Sequence, residues 1–278
     1  MVSTQNAKRK IIEVRLHVYS MPLPDGCFVM AEEGVFVASP EFCFLLMARE
    51  LELIQLIELG YEFCGTYSLA DDGSTSTNQT EEKSTRQLPM LTNLKRLTFF
   101  ISRMQGVAGR NKAMRALRYI AERSASPMET KLAMLMTLPC ILGGYCLPRP
   151  ELNGKVIPSK AVRKSLSQNY FYCDLYWRVP NVAVEYDSDE YHANSAHIAK
   201  DAIKRNALAL CDTFVITMTR RQVYSTIELE RAASLVAKSI GFRMRYRDYP
   251  KFDTAHYKLR KMLLFPTISD DYYQEDMP

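Results

Sequence analysis

Long apolar runs and paired cysteines are both missing from this sequence. It contains no run of about 18 consecutive apolar residues, so we expect no membrane-spanning helix and no membrane partner. The first ten residues include bases that no apolar core follows, and we therefore expect no secretory signal. The seven cysteines stand singly, without a C-x-x-C pair, which argues against a zinc site and favours reduced thiols in a cytoplasmic protein.

The composition is otherwise ordinary for a globular protein. The 278 residues are 47% hydrophobic and 24% charged, which excludes collagen-like, wholly disordered and small disulfide-scaffold proteins. A chain of this length can bury a hydrophobic core without disulfide or metal staples, and it fits one large domain or two of ordinary size.

The net charge of +5 is distributed unevenly along the chain. Residues 28–63 hold seven acids and one base, residues 92–123 hold eight bases and one acid, and the last ten residues hold four acids and no base. The basic segment would attract nucleic acid by neutralising phosphates, and we assign Arg110, Arg115 and Arg118 to phosphate contacts. A solvated helical face is an equally good explanation of the same charges.

Local patterns predict an α/β chain. Strands are expected over residues 11–19, 27–30 and 35–38, and a helix begins at Pro40 with Ser39 as its cap. The whole chain divides into a small α+β N-terminal domain (1–69), a flexible polar linker (70–90), a basic helical connector (91–124), a mixed sheet flanked by helices (125–245), and a C-terminal extension with an acidic tail (246–278).

Two predicted strands, residues 170–177 and 182–187, carry the most informative side chains. A four-residue loop pairs Trp177 with Val182, and the same register places Asp174 opposite Glu185, with Cβ atoms roughly 5 Å apart. Asp187 shares a face with Glu185. Since like charges that face each other destabilise a sheet, a hard cation such as Mg²⁺ or Mn²⁺ would remove the conflict. The alternative is that the acids form the solvent-exposed face of an edge hairpin.

Further polar residues follow this hairpin. His192 comes five residues after Asp187, and Arg205 lies four residues after Asp201 on the next predicted helix. Arg205 could neutralise a phosphate oxygen, or it could form an intrahelical ion pair with Asp201. Upstream, Ser126 and Glu129 match the S-x-x-E capping box, and this local role suffices to explain Glu129.

The order Glu129, Asp174, Glu185, His192, Arg205, each on its predicted element, resembles the PD-(D/E)XK nuclease superfamily, most closely the branch of very-short-patch-repair endonucleases. The resemblance covers residues 126–241 and implies a restriction-endonuclease-like fold.

By this resemblance Asp174, Glu185 and Glu129 hold Mg²⁺ or Mn²⁺, and these acids together with His192 are catalytic. Asp187, counted with the catalytic residues, stands where the superfamily motif usually has a lysine. Lys200 or Lys204, on the following helix, could supply the missing cation and contact the nucleic acid.

Residues 39–43 and 61–67 resemble the C-terminal region of AbiE-type antitoxins, which implies a possible toxin partner. Two hypotheses therefore stay open. The first is a metal-dependent nuclease that hydrolyses phosphodiester bonds, in DNA rather than RNA. The second is a non-catalytic nucleic-acid-binding or antitoxin-like regulator that keeps the nuclease fold.

Overall fold

A computed structural model describes residues 23–69, 85–166, 169–187, 195–246 and 249–265. The chain is mixed α/β within these ranges, as predicted, and has a two-stranded sheet at its start, a second two-stranded sheet, and a four-stranded sheet. The strand predicted over residues 11–19, His192 and the acidic tail lie outside the described residues.

The N-terminal elements follow the sequence prediction closely. Strands β1 (Phe28–Glu32) and β2 (Val35–Ala38) form an antiparallel hairpin, and helices α1 (Pro40–Glu50) and α2 (Leu53–Phe63) follow. The Ser39 hydroxyl accepts a hydrogen bond from the Phe42 N–H at 3.3 Å, which confirms the predicted helix cap.

The end of the predicted linker is a strand, which corrects the expectation of a polar loop up to residue 90. Strand β3 (Tyr67–Leu69) pairs antiparallel with β4 (Thr85–Gln87), so that the backbone N–H and C=O groups of each strand find hydrogen-bond partners on the other. Helices α3 (Leu94–Arg103) and α4 (Arg110–Leu117) then form the basic connector. The buried Glu41 carboxylate of α1 holds the start of α3 in place. It accepts a hydrogen bond at 2.5 Å from the hydroxyl of Thr92, which precedes α3, and forms an ion pair at 3.0 Å with Arg96 in its first turn.

The four-stranded sheet organises the second half of the chain. It is built from β5 (Glu151–Val156), β6 (Phe171–Trp177), β7 (Val182–Asp187) and β8 (Phe214–Thr219), in that spatial order. The first two pairs are antiparallel and the last is parallel, because α7 (Ser195–Ala209) returns the chain to the other end of the sheet before β8. Helix α5 (Pro127–Thr137) precedes the sheet and α6 (Lys160–Leu166) joins β5 to β6.

The β6–β7 hairpin has the predicted loop and register, since Trp177 pairs with Val182 and Leu175 with Val184. Asn181 ends the loop with a φ of 74°, a left-handed conformation that Asn tolerates better than most residues. Its side chain accepts from the Tyr176 hydroxyl at 2.8 Å and donates to the Cys211 carbonyl at 2.8 Å. These bonds tie the hairpin turn to the segment that leads into β8.

Helices α8 (Arg220–Tyr224), α9 (Thr226–Ser239) and α10 (Phe252–Leu264) complete the described chain. Buried Arg260 of α10 donates to the carbonyls of Val223 and Tyr224 at 3.1 and 2.7 Å. One hydrophobic core includes buried residues from α1 through α10, such as Phe42, Leu132 and Leu263. The division into domains stays a prediction. Among the described residues, no helix combines the length and the apolar character needed to cross a membrane.

Candidate active site

The hairpin changes character where Asp174 and Glu185 meet. Regular pairing runs from Trp177–Val182 to Leu175–Val184. At the next position the Asp174 carboxylate accepts a hydrogen bond from the Tyr186 N–H at 2.8 Å. A side chain therefore fastens β7 to β6 at this point, and the Asp174 carboxylate is held in place by backbone.

Glu185 faces helix α7 and is paired there with a cation. Its Oε2 accepts from the Lys204 ammonium at 2.6 Å, and only 17% of the Glu185 side chain is exposed. Glu185 Oε1 is buried and has no hydrogen-bond partner among the described residues. A buried carboxylate oxygen without a partner is costly, so this atom has an unused capacity to bind a donor or a cation.

Glu129 reaches the same region from the first turn of α5. Its backbone N–H donates to the Ser126 hydroxyl, as the capping box predicts, but its carboxylate accepts from the Ala125 N–H at 2.8 Å and the Asn153 side-chain amide at 2.7 Å. The chain has a second S-x-x-E match, Ser225 to Glu228, in which the Glu228 N–H also donates to the serine hydroxyl, but the Glu228 carboxylate pairs with Arg231 at the surface. Glu129 thus differs from an ordinary capping glutamate because strand β5 holds its carboxylate in the interior.

Burial raises the pKa values of all three carboxyls, and the charge of Asp174 raises those of the two glutamates further. Burial is the larger cause for Glu129 and Glu185, each with a pKa of about 7, and the charge of Asp174 adds to both. Burial also raises the pKa of Asp174, against the opposing effects of the Lys204 ammonium and the Tyr186 N–H. Near neutral pH Glu129 and Glu185 are therefore partly protonated unless a further positive charge stabilises their carboxylates.

The donor set fits a hard cation. Burial, and then the neighbouring Glu185, raise the pKa of the Cys173 thiol, so this cysteine stays protonated and supplies no soft thiolate. The remaining donors are carboxylate oxygens, which Mg²⁺ and Mn²⁺ prefer. In the described part of the chain, no three His, Cys, Asp or Glu side chains already form a metal-binding group.

The other predicted site residues fall into separate places. Asp187 is exposed at the end of β7 and pairs with Thr219 of β8. Lys200 lies in α7, with its side chain outside the described part, whereas Arg205 is exposed beside Lys204. The structure thus brings Glu129, Asp174, Glu185 and Lys204 together and leaves Asp187 and Arg205 outside this group.

In the basic connector, Arg110 has a structural task. Its guanidinium donates to the carbonyls of Ile101 and Ser102 at 3.2 and 3.3 Å, and so satisfies the C-terminal end of α3. Arg115 is exposed on α4, and Arg118 is exposed immediately after the helix ends. A groove of about 590 Å³ lies between α1 and the start of α4, away from the carboxylates. Arg115 and Arg118 are therefore better placed than Arg110 for phosphate contacts.

Asn153 and Cys173 are the site residues that sequence reasoning missed. Asn153 has a φ of 46° within β5, and its amide donates to both the Arg123 carbonyl and the Glu129 carboxylate. Nothing local in the sequence marks it, although the register of β5 against β6 would have placed it beside Asp174. Comparison of the chain with family models, with curated proteins and with solved structures gives no match.

Proposed function

We propose that this protein is a metal-dependent nuclease that hydrolyses phosphodiester bonds, in DNA rather than RNA. The observation that carries the proposal is the meeting of the Glu129, Asp174 and Glu185 carboxylates with the Lys204 ammonium where β6 and β7 are joined through a side chain. The sheet order with its antiparallel hairpin and parallel β8 supports a restriction-endonuclease-like fold for residues 125–245.

Asp174 and Glu185 would hold Mg²⁺ or Mn²⁺, with Glu129 as a further oxygen ligand. When bound, such an ion supplies Lewis-acid stabilisation of phosphate charge and lowers the pKa of a bound water. The Tyr186 N–H and the Asn153 amide orient the Asp174 and Glu129 carboxylates before substrate arrives. This preorganisation by backbone and neighbouring side chains is what a precise site requires.

Lys204 would serve in place of the motif lysine whose usual position Asp187 occupies. Its ammonium contacts Glu185 directly and stays charged, because Glu185 raises its pKa against the effect of burial. A fixed positive charge beside the metal ligands can hold a water or stabilise the negative charge that builds up on the phosphate. His192 remains a candidate for proton transfer.

Replacement of Lys204 by Met should lower metal-dependent cleavage about 100-fold, the usual loss when one donor to developing negative charge is removed. Lys204→Arg should keep part of the activity because it retains the charge. The exposed Lys238→Met, on α9, is a matched control that should cleave at the wild-type rate. Initial cleavage rates at saturating metal provide the measurement, and equal rates for Lys204→Met and wild type would remove Lys204 from the mechanism.

The proposal itself is tested with pure protein, plasmid DNA, single-stranded DNA and RNA, in Mg²⁺, Mn²⁺ or EDTA. We expect cleavage of DNA with either metal, none in EDTA, and activity that follows the protein peak through gel filtration. Absence of cleavage with both metals, or cleavage that persists in EDTA, would contradict the proposal.

The second function, a non-catalytic nucleic-acid-binding or antitoxin-like regulator, is favoured by the exposed Arg115 on α4 and Arg118 at its C-terminal end. It predicts salt-sensitive DNA binding with no cleavage under any metal condition. A cytoplasmic location suits either function, and a toxin partner would belong to the second.

A further inference from the structure

The start of strand β6, next to the carboxylates, presents two aromatic rings to solvent. Tyr170, just before β6, and Tyr172 are 40% and 47% exposed, whereas Tyr176 and Trp177 further along β6 are each 5% exposed and belong to the core. The two exposed rings contact each other edge to face, with centroids 5.3 Å apart. Paired exposed tyrosines at a strand end are not needed to fill the core, so their position requires another explanation.

Positive charge accompanies this aromatic pair. The Lys155 ammonium lies 3.8 Å from the centroid of the Tyr170 ring, and Lys155 pairs with Tyr172 across β5 and β6. Residues 152–173 contain four bases and no acid. This stretch includes Lys160 and Lys164, which are exposed on α6. The start of β6 and the neighbouring end of β5 therefore offer both aromatic faces and cations, the combination on which single-stranded nucleic acids bind.

The aromatic pair leads directly to the carboxylates. Tyr172 precedes Asp174 by two residues, so the two lie about 7 Å apart along β6. A strand of nucleic acid with its phosphate at Asp174 would bring a neighbouring base to Tyr172. In a duplex, base faces are covered by their stacked neighbours, so only an unpaired base can use this ring.

We propose that Tyr170, Tyr172 and Lys155 form a stacking platform for an unpaired nucleotide next to the cleaved phosphate, so that the substrate is single-stranded or splayed nucleic acid. The inference rests on the proposed nuclease function. It narrows the substrate class, which the carboxylates alone leave open.

Binding is measured in EDTA, with an Asp174→Asn chain that cannot cleave, by fluorescence anisotropy of a labelled oligonucleotide, single-stranded or as its blunt duplex. We expect tighter binding of the single strand. Tyr172→Leu should weaken single-strand binding about 5- to 100-fold, the range for loss of one stacked base, and leave duplex binding unchanged. Tyr172→Trp should retain binding, because it keeps a π-face. The control Tyr257→Leu removes a tyrosine that is 68% exposed on α10 and should have no effect.

An oligonucleotide that carries 2-aminopurine gives a direct reading of stacking. Its fluorescence should be quenched on binding to the Asp174→Asn chain. The double variant Asp174→Asn and Tyr172→Leu should not quench it. Equal binding of single strand and duplex, or single-strand binding indifferent to Tyr172→Leu, would overturn the platform even in a protein that cleaves. Tyrosine-dependent binding in a protein that never cleaves would keep the platform and reject the nuclease, so the two failures are distinguishable.

Discussion

Asp174→Asn is expected to reduce metal-dependent cleavage about 1,000-fold or more while the protein stays folded. The substitution removes a negatively charged ligand, and a metal contributes several kcal/mol of charge stabilisation to phosphate chemistry, at 1.36 kcal/mol for each tenfold in rate. The Asn side-chain oxygen can still accept the hydrogen bond from the Tyr186 N–H, which is 2.8 Å long in the wild-type protein. The connection between β6 and β7 should therefore survive.

Two measurements separate this loss of chemistry from a loss of structure. The Tm of Asp174→Asn in metal-free buffer should be at least as high as that of the wild-type protein. The Asp174 charge repels the Glu129 and Glu185 carboxylates and so raises their pKa values, and the substitution removes this repulsion. Glu151→Gln is the matched control, since it removes an exposed carboxylate that pairs with Arg178 on the same sheet. Cleavage by Asp174→Asn at the Glu151→Gln rate would show that Asp174 is not part of the active site.

The hairpin that carries the site could be predicted because its constraints are local. Loop length and the alternation of apolar residues fix the pairing of Trp177 with Val182, and this pairing determines what lies opposite Asp174. The hydrogen bond from Tyr186 to the Asp174 carboxylate could not be foreseen, since it replaces the regular pairing that such reasoning assumes.

The roles of Glu129 and Lys204 depend on how separate elements pack. The Ser126 half of the capping box is local and was predicted, but Asn153, which holds the Glu129 carboxylate, is 24 residues away on β5. Lys200 and Lys204 lie one turn apart on α7, and the rotation of a helix against a sheet decides which of them faces Glu185. Sequence alone leaves that rotation undetermined.

Helices α6, α8 and α10 were missed for different reasons. The first two have only seven and five residues and offer little periodicity. Helix α10 does have a signal, since its buried Phe252, His256, Leu259 and Leu263 recur at helical spacing along one face. An apolar stripe of that kind predicts a docked helix, whereas the residues were assigned to an extension.

In metal-free buffer, the free energy of unfolding should fall as pH rises from about 4.5 to about 8. The pKa values of Glu129 and Glu185 rise from 4.5 to about 7 on folding, mainly through burial and then through Asp174, so the folded state binds more protons in this window. Stability from retained protons is present below pH 4.5 and is lost as pH passes 7. A pKa difference of this size in one carboxyl corresponds to about 3 kcal/mol, so the two glutamates together should lose at least that much.

Thermal melts in EDTA between pH 5 and pH 8 measure this loss, which should lower the Tm by about 5–10 °C. The charged groups around the two glutamates are Asp174 of β6 and Lys204 of α7, so the double variant Glu129→Gln and Glu185→Gln should flatten the pH profile. The exposed pair Glu151→Gln and Glu228→Gln should leave it unchanged. Mg²⁺ added at pH 8 should recover much of the lost Tm in wild type and none in the double variant, because a bound cation replaces the missing protons. Parallel profiles for wild type and the double variant, or an equal Mg²⁺ effect on both, would mean that these carboxyls neither retain protons nor bind the metal.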